Sequence, residues 1–109
     1  RALIALSLAS SPEVVFMDEP TTAVDVVMQR QILSQILQLQ AALGFAIVFV
    51  THDLEEAIAL ADRVVIMSAG PAARIIGDWR VPLARPRDIL EIRLEPAFHD
   101  LHREIWHVL

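Results

Sequence analysis

Val14-Val15-Phe16-Met17-Asp18-Glu19-Pro20-Thr21-Thr22-Ala23-Val24-Asp25 is the stretch from which the fold is read. Four apolar residues, two of them β-branched, read as a short strand buried on both faces, and the apolar run stops at two adjacent carboxylates and a proline. In open parallel sheets ligands sit at the carboxyl edge of the strands, so Asp18 and Glu19 are expected to face a ligand rather than a packed helix. One carboxylate there can hold a hydrated Mg²⁺ through its waters, and a second can accept a proton from an attacking water. Taken alone, an Asp-Glu pair after an apolar run is more often a solvated strand end. A second landmark shifts that balance. Ala46-Ile47-Val48-Phe49-Val50-Thr51-His52-Asp53 is another apolar strand ending in a polar triplet with a histidine. Two neighbouring strands that end this way bring Asp18, Glu19 and His52 to one sheet edge, where an imidazole can contact a phosphate oxygen or the attacking water.

Composition bounds the remaining possibilities. At 109 residues the chain is long enough for one small domain and too short for two. Its 55% hydrophobic content and mean hydropathy of +0.50 ask for more burial than a chain of this size provides. A formal charge of −5 argues against general nucleic-acid binding, and the absence of cysteine excludes disulfides and thiolate metal sites and fits a reducing compartment. All nine basic residues are arginine, and the three glycines, Gly44, Gly70 and Gly77, stand far apart. A phosphate-cradling loop needs closely spaced glycines and a lysine, so this chain cannot form one. The first residues lack the pattern of a signal peptide. Gln31 to His52 carries no Asp, Glu, Lys or Arg, but the recurring glutamines and Gly44 favour a helix followed by a strand over a membrane span.

In chain order, an alanine- and leucine-rich helix is expected over Ala2 to Ala9, ended by Ser10-Ser11-Pro12. After the first strand, Pro20 to Asp25 reads as a loop. A helix from Val27 to Leu43 follows, with Ile32, Leu33, Ile36, Leu37 and Leu43 on its apolar side and Gly44 as its stop. Strand, helix and strand then give a right-handed parallel crossover. Asp53 and Glu56 form a capping-box-like start for a helix over Leu54 to Ala61, which makes them caps rather than catalysts. Val64 to Met67 is a third apolar strand, Ser68 to Pro71 a turn, and Arg74 to Val81 closing strand structure. Beyond Pro82 a proline- and arginine-rich connector leads to a last helix that starts at Pro96, with Phe98, Leu101, Ile105 and Val108 on one stripe. His99, His102 and His107 are read as a solvated helical face rather than a metal site. Arg85, Arg87 and Arg93, interleaved with Asp88, Glu91 and Glu95, are read as a mixed polar surface.

Val14 to Pro20 resembles the Walker B motif of ABC-type ATPases. Thr22-Ala23-Val24-Asp25 is similar to that family's D-loop, and Thr51-His52-Asp53 to the strand end with its switch histidine. Arg1 to Leu8 resembles the helix after the signature motif, and the resemblance runs from residue 1 to the end of the chain. It implies an α/β fold, namely a partial P-loop NTPase-type parallel sheet with flanking helices. Residues 1–81 would be the C-terminal part of the ATPase domain and 82–109 a C-terminal connector and helix. The whole domain needs about twice this length. The resemblance further implies that Asp18 binds the cofactor and holds Mg²⁺ through water, that Glu19 polarises the hydrolytic water, and that His52 contacts the γ-phosphate. Thr22, Ala23, Val24 and Asp25 would lie at the interface with a second ATPase subunit in a homodimer. ATP and Mg²⁺ would bind only together with an N-terminal half bearing the phosphate loop. The partners implied are that second subunit and membrane permease subunits, with no nucleic acid. The location implied is cytoplasmic, peripheral on the inner face of the plasma membrane through the permease.

Two parts of the chain point to different branches of the family. The tail, with Leu83-Ala84-Arg85-Pro86-Arg87, and the segments Asp53 to Ala57 and Ala61 to Arg63 are similar to importers of the nitrate, sulfonate and taurine type. Asp18 to Val26, with Gln29 and Gln31-Ile32-Leu33, looks more like the peptide-importer branch. The anion branch is favoured because the tail is the less generic signal. A non-catalytic remnant or interaction piece, inactive on its own, is the alternative from another class. A non-transport ATPase of the repair or condensin type is disfavoured by the importer-like features.

Overall fold

The short connection between residues 67 and 75 and the longer one between 18 and 46 dictate opposite strand pairings. A parallel pair needs a crossover of a dozen or more residues, whereas a short link can only fold a strand back on itself. The computed structural model of the chain describes residues 13–21 and 23–109, and both outcomes are present in it. The helix expected over Ala2 to Ala9 lies outside the described residues, as does Thr22. The chain divides into two compact units, Arg1–His52 and Asp53–Leu109.

In the first unit, strand β1 (Val14–Asp18) pairs in parallel with β2 (Ala46–Val50), and helix α1 (Val26–Leu43) connects them. The register runs from Val14 opposite Ala46 to Asp18 opposite Val50. Asp25 starts α1: its backbone is extended and its Oδ1 accepts the Met28 amide at 2.8 Å. Gly44 ends it in the left-handed region at φ 70°, its amide donating to the Gln40 carbonyl at 2.8 Å, as a helix-terminating glycine does. Within the helix Leu33 and Ile36 are buried, but Leu43, expected on the apolar side, is 61% exposed. It occupies the last turn, where the chain is already leaving the helix.

The expectation that β1 is buried on both faces is corrected. Val15 and Met17 are buried, while Val14 and Phe16 on the opposite face are 57% and 59% exposed. Side chains alternate across a strand, so this is a sheet with one closed and one open face. A continuous apolar run states that both faces are fit for burial, not that something in the chain covers both.

In the second unit, helix α2 (Leu54–Leu60) leads into β3 (Arg63–Met67), which pairs antiparallel with β4 (Ile75–Arg80). The third apolar strand thus pairs with the closing strand in a separate two-stranded sheet. Asp53 caps α2, its Oδ1 accepting the Glu56 amide at 3.2 Å, and Glu56 itself is buried. Gly77 sits beneath the Trp79 indole, and a Cβ at that position would run into the ring. A single 3-10 turn over Ile92–Leu94 precedes helix α3 (Pro96–Trp106). Phe98, Leu101 and Ile105 of α3 are buried, whereas Val108, expected on the same stripe, lies beyond the helix end and is 42% exposed. His102 stacks between Phe98 and Trp106, with ring centroids 6.5 and 6.1 Å away. Among the described residues no helix is long and apolar enough to cross a membrane.

The arginines of the connector need a second correction. The Arg87 side chain is only 1% exposed and is no part of a mixed polar surface. Its Nη1 donates to the carbonyls of Ala61 (2.7 Å) and Ala59 (3.3 Å), and its Nη2 to that of Leu83 (3.0 Å). Arg85 donates to the Leu60 carbonyl and to Asp62 Oδ1, at 2.5 and 2.8 Å. The end of α2 leaves carbonyls without helical partners, and the macrodipole places partial negative charge there. Two guanidinium groups satisfy both. Burial pushes the Arg87 pKa down, helped by the nearby Arg85 charge and opposed by Asp62 and Glu95.

Two outcomes are expected. Arg87→Met should lower the stability of the chain by about 2–3 kcal/mol in urea unfolding, because buried carbonyls lose charge-assisted donors, and Arg87→Lys should recover little of it. An unchanged unfolding midpoint in Arg87→Met would show that water replaces the guanidinium at no loss. The second concerns Asp78, which accepts Arg63 Nε and Nη2 at 2.9 and 2.6 Å. The Arg63 hydrogen bonds hold the Asp78 carboxyl below its ordinary value, with burial opposing. A depressed folded pKa contributes stability above the unfolded value of about 3.9, and that contribution is lost as pH falls through the folded pKa. The melting-temperature gap between the wild type and Asp78→Asn should therefore be present at neutral pH and close in acid below that value. A gap that widens in acid would reverse the sign.

Candidate functional site

The parallel register decides where the polar ends of β1 and β2 arrive. With Asp18 opposite Val50, the next residue of β1 comes level with the segment that follows β2. The Glu19 amide donates to the Val50 carbonyl at 2.7 Å, extending the ladder by one bond. There the backbone turns: Glu19 has φ 46°, in the left-handed region rarely used by residues with a Cβ. That turn breaks the strand alternation, and Glu19 Oε1 lies 3.1 Å from His52 Nε2. The sequence prediction that an acid and an imidazole from two strands meet at one edge is met by this geometry. The imidazole is 92% exposed and the carboxylate 34%, so the pair opens to solvent rather than closing into a core.

Asp18 is the last residue of β1 and shares the exposed face of Val14 and Phe16. The loop after Glu19 is tied by backbone bonds. The Val24 amide reaches the Thr21 carbonyl at 3.4 Å, and Ala23 is a second non-glycine residue in the left-handed region at φ 67°. Ala23 and Asp25 are exposed, and Val24 is half-buried. Thr22 lies outside the described residues. Asp25, assigned from the motif to a subunit interface, also performs the local task of capping α1. That role was legible from an Asp directly before a helix. Thr21, a buried polar residue at 9% exposure, is the member of this loop that no motif or spacing singles out.

Chemically, the edge offers one carboxylate on an open face and a second beside an imidazole. Mg²⁺ keeps most of its waters and is held by one or two carboxylates together with substrate phosphates, so Asp18 fits water-mediated binding of that ion. Among the described residues no three His, Cys, Asp or Glu side chains gather into a site that would hold a metal by themselves. A carboxylate beside an imidazole is a pair that can orient a water and accept its proton. The chain contains no lysine, the residue that a phosphate-cradling loop uses.

No family model matches the chain. Over all 109 residues it is 38% identical to the nitrate transport protein NasD of Klebsiella oxytoca, and it spans 42% of that protein's length. It is 38% identical over 101 residues, 93% of the chain, to the bicarbonate transport ATP-binding protein CmpD of Synechococcus elongatus, of which it spans 36%. It also matches the nitrate import ATP-binding protein NrtC of Synechococcus elongatus, with 38% identity over its whole length and 16% of that protein.

Glu19 is the position at which backbone ease and side-chain chemistry conflict. Left-handed backbone costs about 1–2 kcal/mol for a residue with a Cβ and almost nothing for glycine. Glu19→Gly should raise the unfolding free energy by about 0.5–1 kcal/mol in urea titration despite removing the contact to His52. A destabilised variant would mean that the Glu19–His52 contact outweighs the backbone strain.

Proposed function

We propose that the chain, which is similar over most or all of its length to parts of nitrate and bicarbonate transport proteins, supplies the hydrolytic edge of an ABC-importer ATPase. The observation that carries this reading is the 3.1 Å approach of His52 to Glu19 at the carboxyl ends of a parallel strand pair. In this reading the described α/β units are the C-terminal part of a P-loop NTPase-type domain, with residues 1–81 belonging to the ATPase body and 82–109 forming its connector and last helix.

Asp18 would hold Mg²⁺ through water, and that ion would supply charge neutralisation to the bound nucleotide. Glu19 accepts the proton of the water aimed at the γ-phosphate. His52 positions that water and contacts the γ-phosphate oxygen. Thr22, Ala23, Val24 and Asp25 face a second ATPase subunit in a homodimer. Hydrolysis drives opening and closing of the dimer on membrane permease subunits, which places the protein on the cytoplasmic face of the membrane. The cargo is a small anion of the nitrate, sulfonate or taurine kind. The names of the relatives and the connector Leu83 to Arg87 support that branch, while Asp18 to Val26 keeps a peptide importer as the alternative cargo class. By itself the chain binds no ATP and is inactive, because it contains no lysine and no closely spaced glycines.

Two measurements test the reading. The chain alone should show no ATP binding in calorimetry, and tight binding would end it. Combined with a polypeptide bearing a phosphate loop, the wild type should hydrolyse ATP, and Glu19→Gln should retain ATP while turning it over at least about 100-fold more slowly. Turnover at the wild-type rate in Glu19→Gln would remove Glu19 from the proposed role.

A further inference from the structure

We propose that Thr21 is a positioning residue: its buried hydroxyl holds Glu19 in a left-handed backbone conformation and so keeps the Glu19 carboxylate against His52. Glu19 has φ 46° although it carries a Cβ and although it precedes Pro20. Left-handed backbone is costly for a residue with a Cβ, and a proline pushes the residue before it towards extended backbone. Two independent preferences therefore pull Glu19 out of the conformation that it holds. A strained residue keeps its conformation where its surroundings fix the chain on both sides of it. On the upstream side the fixed point is the ladder bond from the Glu19 amide to the Val50 carbonyl, at 2.7 Å. The downstream fixed point has to lie in the loop itself.

Burial selects Thr21 as that point. Glu19, Pro20 and Val24 are half-buried and Ala23 and Asp25 are exposed, so Thr21, at 9%, is the buried member among the described residues of the loop. A hydroxyl buried to that degree is as a rule hydrogen-bonded, and a hydrogen bond is directional where apolar packing is not. Pro20, the one residue between Thr21 and Glu19, has its φ locked by its ring, so few free torsions separate the two. On its other side the Thr21 carbonyl accepts the Val24 amide at 3.4 Å, closing the turn that contains Ala23 with its φ of 67°. Thr21 thus stands between the two left-handed residues of the loop and is tied towards both. Asp25 is anchored as well, as the cap of α1, but the exposed Ala23 lies between it and Glu19. The effect on hydrolysis rests on the ATPase reading above, whereas the hold on the Glu19 backbone does not.

Two readouts test this, the first on the full chain alone by NMR. Positive φ at Glu19 gives a strong cross-peak between its own amide and α protons, and the contact with His52 gives one between the Glu19 side chain and the imidazole. Thr21→Val, which keeps the shape and removes the hydroxyl, should lose both, and Thr21→Ser, which keeps the hydroxyl, should retain both. Ile36→Val, a change in the buried face of α1, is the control for general loosening of the unit and should retain both. If Thr21→Val does not fold, Thr21→Ala, which lets water reach the group that the hydroxyl serves, is read in its place. Retention in the variant without the hydroxyl overturns the proposal, as does loss in Thr21→Ser or in Ile36→Val. The second readout is turnover in combination with a polypeptide bearing a phosphate loop. Thr21→Val should hydrolyse ATP at least about tenfold more slowly while still retaining it, and should cost nothing further in a Glu19→Gln background. An equal loss in both backgrounds means that Thr21 does not act through Glu19 and overturns its positioning role. Normal turnover in Glu19→Gln, with both cross-peaks lost in Thr21→Val, removes the ATPase reading and leaves the hold of Thr21 on Glu19 standing.

Discussion

The hydrogen bond from the Glu19 amide to the Val50 carbonyl, 2.7 Å long, is the contact on which the geometry of the candidate site depends. It is the last bond of the β1–β2 ladder and fixes the register at the end where the chemistry lies. A slip of one residue would exchange the two faces of β1, turning Val15 and Met17 outward and Asp18 inward. The long link through α1 permits the parallel pairing, and the caps at both ends of that helix set where the chain returns. Asp25 begins the helix immediately after the loop, and Gly44 releases it two residues before β2. Local backbone chemistry over residues 18–46 therefore determines that an acid and an imidazole meet.

The second unit is organised by the opposite need, which is to satisfy a helix end rather than to present one. Helix α2 spans seven residues, so most of its carbonyls lie within the final turn. Arg85 and Arg87, contributed by a segment more than twenty residues downstream, are bonded to those carbonyls. This explains why the connector is not a detachable appendage of the unit: removing it would leave both the helix end and Asp62 without their donors. A buried guanidinium is acceptable there because its bonds go to partial charges of the right sign.

Much of the chain's local structure was legible in the sequence. Strand β1, helix α1 and the Gly44 and Asp53 caps fall within a residue of their expected positions, since apolar periodicity and capping residues act over a few neighbours. What escaped depends on distant parts of the chain or on none of it. Arg87 looked like surface because its partners at Ala59 and Ala61 are far away in sequence. Val14 and Phe16 looked like core because an apolar residue signals fitness for burial, and whether a cover exists is a property of other residues. The conformation of Glu19 had no signal either, since the usual marker of left-handed backbone is glycine and this position has a carboxylate instead.

At position 19 a carboxylate stands where the backbone conformation would favour glycine. Two left-handed non-glycine residues, Glu19 and Ala23, stand within five positions of each other. At about 1–2 kcal/mol each their strain is comparable with the combined net gain of the Glu19 amide bond and the Asp25 cap, each worth about 1 kcal/mol. The Glu19–His52 contact is too exposed to add much, because surface pairs contribute about 0–1 kcal/mol. Stability alone would favour glycine at position 19. Glycine would leave the register and the ladder bond intact but would remove the carboxylate placed against His52, and backbone strain held in place by its surroundings is most often found where a side chain must point in an otherwise unfavourable direction.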